Sequence, residues 1–153
     1  MSRTDARIRY TQGVLKQALL SFLQEKPINK ITVKEVCERA ELNRATFYAH
    51  YSDCFALLES IEEDLLEAFQ QSLKLVASFD VTALIEAIYT MIEQQQEACR
   101  VLIFQNVCPN VLRRMISLAR DKSIAYWKQH LHRVTEAELE MLYTHLSNGL
   151  MHV

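Results

Sequence analysis

Glycine and proline are scarce in this chain, and their scarcity limits its fold more than any other feature. Only two of each occur in 153 residues: Gly13, Gly149, Pro27 and Pro109. All-β sandwiches need many turn residues, and dinucleotide or P-loop sites need a glycine-rich loop. Both classes are therefore close to excluded, and the sequence predicts an almost entirely helical chain. Its length fits one domain of ordinary size, or one domain with a small appended head.

Apolar side chains recur at helical spacing along most of the chain and locate its helices. Two Thr-x-x-Glu capping boxes, beginning at Thr32 and Thr135, mark helix starts, as does the N-cap residue Asn43. Either Ser52 or Asp53 caps a long fourth helix. The predicted helices cover residues 5–24, 33–40, 44–50, 53–77, 80–92, 98–105, 109–131 and a last segment that follows residue 135.

Charge is distributed unevenly along the chain. Residues 1–52 carry nine Lys/Arg against five Asp/Glu, a net charge of +4, whereas residues 53–153 carry eight against fourteen, a net charge of −6. A basic head on an acidic body indicates that only the head meets a polyanion. The alternative is that such an imbalance arises by chance in a short segment.

The cysteines, the opening segment and the uncharged stretches give no sign of disulfides, a signal peptide or a membrane span. The four cysteines form no CxxC pair, and the opening segment MSRTDARIRYTQ has no apolar core of a signal peptide, so we expect free thiols in a reducing cytoplasm. The long uncharged stretch at residues 101–112 is too short and polar to span a bilayer. No nucleophile–base arrangement, metal cluster or phosphate loop is visible, so we expect no enzyme, metal or cofactor.

The segment from Ile31 to Leu58 predicts a helix-turn-helix. A short capped helix, a three-residue break and a second short helix have the required order, and in such units the second helix enters the DNA major groove. The second helix reads RATFYAHY from Arg44 to Tyr51. Phe47 can point inward as an apolar anchor. The side chains available to face outward are Arg44, Thr46, Tyr48, His50 and Tyr51.

The same segment resembles the TetR (tetracycline-repressor-like) family of transcription regulators. The matching residues are ITVKEVCERA at 31–40, NRATFYAHY at 43–51, and Asp53 followed by Leu57-Leu58. The resemblance is strong over about residues 7–70 and architectural beyond them. It implies an all-α fold with a three-helix DNA-binding head in residues 1–52. A long fourth helix would join the head to a ligand-binding and dimerisation bundle in residues 53–153.

The resemblance also implies roles for individual residues. Thr32 would contact a DNA phosphate, Arg44 and Thr46 would reach base edges, and the aromatic residues that follow would touch phosphates or the groove wall. The full set of implied DNA-binding residues is Thr32, Lys34, Asn43, Arg44, Ala45, Thr46, Tyr48, His50 and Tyr51.

Two positions depart from the family pattern. Glu41 stands where the family often has glycine, and glutamate is costly there if the turn needs a positive φ. Cys54 stands where the family often has lysine, which removes a phosphate contact. Being close to a helix N-terminus, Cys54 is also a candidate redox-sensitive thiol with a lowered pKa, although a plain packing role is the simpler interpretation.

The family comparison leads us to expect a repressor that binds double-stranded DNA as a homodimer on a near-palindromic operator and is released by a small-molecule effector. The predicted pocket residues are Phe69, Leu73, Ile88, Met91, Phe104 and Tyr126, although such residues can equally be core. The predicted dimer interface comprises Tyr126, Leu131, Leu139, Leu142, Leu146 and Leu150. The apolar pattern runs on to Val153, so we expect a shortened form of a longer protein; the alternative is a naturally short protein whose last helix ends there. The alternative function is a protein-interaction module of the same fold that has lost specific DNA binding.

Overall fold

The computed structural model describes residues 3–75, 81–105, 107–131 and 133–151, and its described elements are all helical. The predicted all-α fold is therefore confirmed. No helix among these residues has the length and apolar character needed to cross a membrane. The elements are α1 Arg3–Leu23, a 3₁₀ turn Ile28–Lys30, α2 Val33–Arg39, α3 Arg44–Tyr48, α4 Cys54–Leu75, α5 Val81–Gln94, α6 Gln96–Ala98, a π-helical turn Cys99–Phe104, α7 Pro109–His130 and α8 Glu136–Met151.

Side-chain caps fix the start of several helices as the sequence predicts. At α2 the Thr32 hydroxyl accepts the Glu35 backbone N–H at 3.3 Å, and the Glu35 carboxylate accepts the Thr32 backbone N–H at 2.9 Å. Thr135 and Glu138 form the same reciprocal pair before α8, at 3.4 and 2.8 Å. Asp53 caps α4 by accepting the backbone N–H three residues ahead at 2.8 Å. These bonds satisfy N–H groups that would otherwise lack a partner.

The chain divides into two compact units. Unit 1 comprises Met1–Leu65 with Gln95–Pro109, and unit 2 comprises Leu66–Gln94 with Asn110–Val153. The functional boundary at residue 52 stays a prediction. Unit 1 has a continuous apolar core, which contains the predicted anchor Phe47 and the predicted core residue Cys37. Its fully buried side chains include Leu15, Leu19, Val36, Phe47, Leu57, Leu65, Val101 and Leu102.

The segment after α5 contributes a wide helical turn to unit 1. We predicted a short helix over 98–105, and the structure forms α6 followed by the π-helical turn instead. The Gln105 N–H donates to the Arg100 carbonyl five residues earlier at 2.9 Å, which is the spacing of a π-helix. Arg100 also donates to the Gln24 side chain at 3.1 Å, next to the end of α1.

In unit 2, α8 packs along α7. Tyr143 donates its hydroxyl to the Ile116 carbonyl, and its ring lies 6.3 Å from that of Trp127. Arg120 on α7 pairs with Glu140 on α8. Leu139, one turn before Tyr143 on the same helical face, is fully buried within this single chain. The prediction that Leu139 lies in a dimer interface is therefore wrong, because its side chain has no exposed surface left for a second copy to contact.

Candidate nucleic-acid interface

The turn between α2 and α3 caps the C-terminal end of α2. The Leu42 N–H donates to the Cys37 carbonyl at 2.9 Å, and the Glu41 N–H donates to the Glu38 carbonyl at 3.3 Å. This pair of bonds is a Schellman motif, which places the residue after the helix cap in the left-handed region. Glu41 has φ 54°. The turn therefore does need a positive φ, and a glutamate supplies it where glycine would be less strained.

Asn43 is the N-cap residue of α3, as the sequence predicts. Its side-chain Oδ1 accepts both the backbone N–H of Thr46 at 2.7 Å and the hydroxyl of Thr46 at 2.9 Å. One turn later the fully buried Phe47 ring anchors α3 in the core of unit 1 and meets the Tyr48 ring edge-on at 5.6 Å. The cap and the anchor together fix both the start and the rotation of α3.

The outer surface of α3 carries small residues at its centre. Successive residues of a helix are about 100° apart, so Ala45 and Ala49 lie opposite the buried Phe47. Both alanines are exposed. Thr46 and Tyr48 lie on either side of them, half-buried and 58 % exposed respectively. This face allows close approach of a partner to the helix backbone between two hydroxyl-bearing side chains.

The other residues of the predicted set divide by exposure. Thr32, Lys34, Asn43 and Arg44 are exposed, and His50 is half-buried. Tyr51 is only 8 % exposed, so the expectation that it faces outward is wrong. It follows Phe47 by four residues and therefore turns the same way. Its ring lies 5.9 Å from that of Phe47, and its hydroxyl accepts a bond from Ser60 on α4 at 3.3 Å.

The start of α2 holds a compact charged cluster. Glu35 accepts a hydrogen bond from Lys26 at 2.6 Å and another from the Thr32 hydroxyl at 2.8 Å. The bonds from Lys26 and then Thr32 lower the pKa of Glu35 to about 2, so the carboxylate is ionised at neutral pH. The hydroxyl proton of Thr32 is thereby already committed within the chain. A phosphate contact by Thr32 stays a prediction.

Lys30 is a basic residue that the predicted DNA-binding set does not include. It is exposed at the end of the 3₁₀ turn, two residues before Thr32. The basic excess of residues 1–52 was the signal that could have identified it. Lys30 therefore joins Lys34 and Arg44 as an exposed cation in the segment that contains α2 and α3.

Cys54 behaves as a core residue. Burial, and after it the neighbouring Asp53 carboxylate, raises the pKa of the Cys54 thiol to about 11. The alternative of a lowered pKa at this helix N-terminus is therefore wrong, because burial disfavours the charged thiolate. Cys37 is also buried, and burial raises the pKa of its thiol. All four cysteines are unpaired.

The predicted pocket residues do not all share one environment. Phe69, Leu73 and Met91 are buried and Ile88 is half-buried, all within unit 2. Tyr126 is half-buried, with its ring stacked on His130 at 4.0 Å. Phe104 is 70 % exposed and belongs to unit 1, so its place in a pocket stays a prediction. It lies at the end of the π-helical turn, whose inner positions already bury other side chains.

The predicted dimer residues are also divided. Leu131 and Leu142 are exposed on unit 2, together with Val134 and Met141, and Met141 is 63 % exposed. The side chains of Leu146 and Leu150 lie outside the described residues. The part of the chain that the structure describes holds no group of three or more His, Cys, Asp or Glu placed to bind a metal.

Sequence comparison identifies one partial similarity. Over 62 residues the chain is 37 % identical to an uncharacterised HTH-type transcriptional regulator, YxbF, of Bacillus subtilis strain 168. The matched region is 40 % of this chain and covers only 16 % of that protein's length. No model of a known protein family matches the chain.

Proposed function

We propose that this chain is a DNA-binding transcription regulator that inserts α3 into the major groove. One observation carries the proposal: α3 is locked by the Asn43 cap and the buried Phe47, and its outer face has two alanines between polar side chains. A rigid helix with a small-residue centre can approach base edges closely. The partial similarity to a protein named as an HTH-type transcriptional regulator supports the same function.

The finer parts of the proposal follow the resemblance to the TetR family. The regulator acts as a repressor and binds a near-palindromic operator as a homodimer, because two copies of α3 must reach successive major grooves. Exposed apolar side chains on unit 2, including Leu131, Met141 and Leu142, support self-association there. Release by a small-molecule effector also stays a prediction.

Selection of bound sequences from a random double-stranded DNA library tests the function. The full chain should enrich one motif, and Arg44→Ala should weaken binding to that motif by about 1–3 kcal/mol because arginine reads guanine with two hydrogen bonds. Arg113→Ala is the matched control, since Arg113 is an exposed arginine on α7 in unit 2. It should leave affinity for the motif unchanged.

The salt dependence of binding separates the two functional classes. Affinity for the selected DNA should fall steeply with salt concentration, because phosphate contacts release counterions. A wild-type chain that enriches no sequence would contradict the regulator and favour the protein-interaction module. Equal losses for Arg44→Ala and Arg113→Ala would show that α3 is not the reading element.

A further inference from the structure

The Thr46 hydroxyl has only part of its hydrogen-bonding capacity left. A threonine hydroxyl offers one proton and two lone pairs. The Asn43 atom that accepts the Thr46 backbone N–H must be an oxygen, which settles the orientation of the Asn43 amide. That oxygen carries no proton, so the bond of 2.9 Å between it and the Thr46 hydroxyl uses the hydroxyl's own proton. The hydroxyl can then only accept a further bond.

This assignment has a consequence for the bases that Thr46 favours. In the major groove adenine and cytosine present amino donors, whereas guanine and thymine present carbonyl acceptors. An amino group can donate to the free lone pair of Thr46 while the bond to Asn43 stays in place. A carbonyl could be satisfied only if the hydroxyl turned away from Asn43, so that one bond would be lost for each bond gained.

We propose that Thr46 is a specificity-determining residue that selects an amino-bearing base, adenine or cytosine, at one position of each DNA half-site. The proposal rests on the proposed function, because it requires α3 to lie in the major groove. Thr46 lies beside the exposed Ala45 at the centre of the outer face. One net hydrogen bond corresponds to a preference of roughly 2- to 10-fold in Kd over guanine or thymine.

The test compares base preferences of the full-length wild type and two variants on a random double-stranded DNA library. Thr46→Val keeps the branched shape and removes the hydroxyl, so the preference for adenine or cytosine should disappear at one position per half-site. Preferences at the other positions should persist. Asn43→Asp is the matched control, because aspartate is an equally good N-cap and still accepts the Thr46 proton. It should weaken binding to all sequences through its charge and retain the preference.

A third variant keeps the Thr46 hydroxyl and removes the residue that accepts its proton. Asn43→Ala removes the acceptor and frees the hydroxyl proton, so guanine and thymine should become as favourable as adenine and cytosine at that position. Because loss of a cap destabilises a helix, far-UV circular dichroism must show wild-type helicity for this variant; otherwise Thr46→Val and Asn43→Asp give the result.

Several outcomes would overturn the inference while leaving the regulator intact. These are a wild-type preference for guanine or thymine at the Thr46-dependent position, equal weakening of all sequences by Thr46→Val, and loss of the preference in Asn43→Asp. A wild-type chain that selects no sequence at all would instead overturn the proposed function, and the inference with it.

Discussion

Replacement of Glu41 by glycine is expected to stabilise the turn between α2 and α3. Glu41 has φ 54° and its side chain is exposed. The left-handed conformation costs a residue with a Cβ about 1–2 kcal/mol, and glycine avoids this cost. Glycine loses more conformational entropy on folding, which offsets about 0.5–1 kcal/mol. The net expectation for Glu41→Gly is a gain of roughly 0.5–1 kcal/mol.

Native-state hydrogen exchange can localise this gain. The Ala40 and Leu42 amides close the end of α2 with bonds of 2.9 Å to the Val36 and Cys37 carbonyls. A gain of this size should slow their exchange by about 2- to 5-fold, after correction for intrinsic rates. Glu41→Ala is the control, because alanine removes the charge but keeps the Cβ.

The comparison of the two variants isolates the backbone effect. Glu41→Ala should lie within about 0.5 kcal/mol of the wild type, as exposed substitutions usually do. Equal stabilisation by alanine and glycine would assign the gain to loss of the charge and refute the argument from strain. Faster exchange in Glu41→Gly would contradict the expected gain; faster exchange in Glu41→Ala as well would trace the loss to a stabilising contact of the glutamate side chain, and unchanged exchange in Glu41→Ala would trace it to the entropy of glycine.

Three further predictions concern the cap at α2, the packing of α8 and a buried thiol. Because Lys26 and Thr32 hold the folded pKa of Glu35 at about 2, below the ordinary value of 4.5, the stability that Glu35 contributes is present above pH 4.5 and lost as the pH falls toward 2. In urea titrations, the free energy of unfolding of Glu35→Gln should fall less than that of the wild type between pH 4.5 and 2. An equal fall in the two proteins would contradict this prediction. Leu139→Ala should cost about 2–5 kcal/mol in thermal or urea unfolding, whereas the exposed Met141→Ala on the same helix should cost less than about 0.5 kcal/mol. Similar costs for the two would count against the burial of Leu139. Cys54 should react with iodoacetamide at pH 8 far more slowly in the folded chain than in urea, because burial raises its pKa to about 11; equal rates would refute this.

Local chemistry along the chain predicted much of this fold. The Thr32 and Thr135 capping boxes and the Asn43 cap depend on residues three positions apart, so each local segment of sequence contains both partners. Tyr51 could also have been placed correctly, because it follows Phe47 at helical spacing. It is predicted to face outward instead, because it carries a hydroxyl and belongs to the motif that resembles DNA-contacting residues.

Predictions that depended on distant partners were less successful. An apolar helical face must be covered, but periodicity does not tell whether the same chain or a second copy covers it. Leu139 is predicted to lie in a dimer interface, but its own chain covers it completely. The alternative of a lowered pKa for Cys54 is wrong for a related reason. The helix N-terminus can be recognised in the sequence, but the burial that raises the pKa depends on tertiary packing.

The continuity of α4 affects how the outer surface of α3 can be transplanted. The helix passes from unit 1 into unit 2 between Leu65 and Leu66, and unit 1 also takes in Gln95–Pro109. A fragment that ended at residue 52 would lack Leu57, Leu65, Val101 and Leu102, all of them fully buried in unit 1. Exchange of that contiguous piece between related chains would therefore separate α3 from these buried side chains of the unit 1 core. New sequence specificity on this framework is better obtained by substitutions within α3 than by swapping heads.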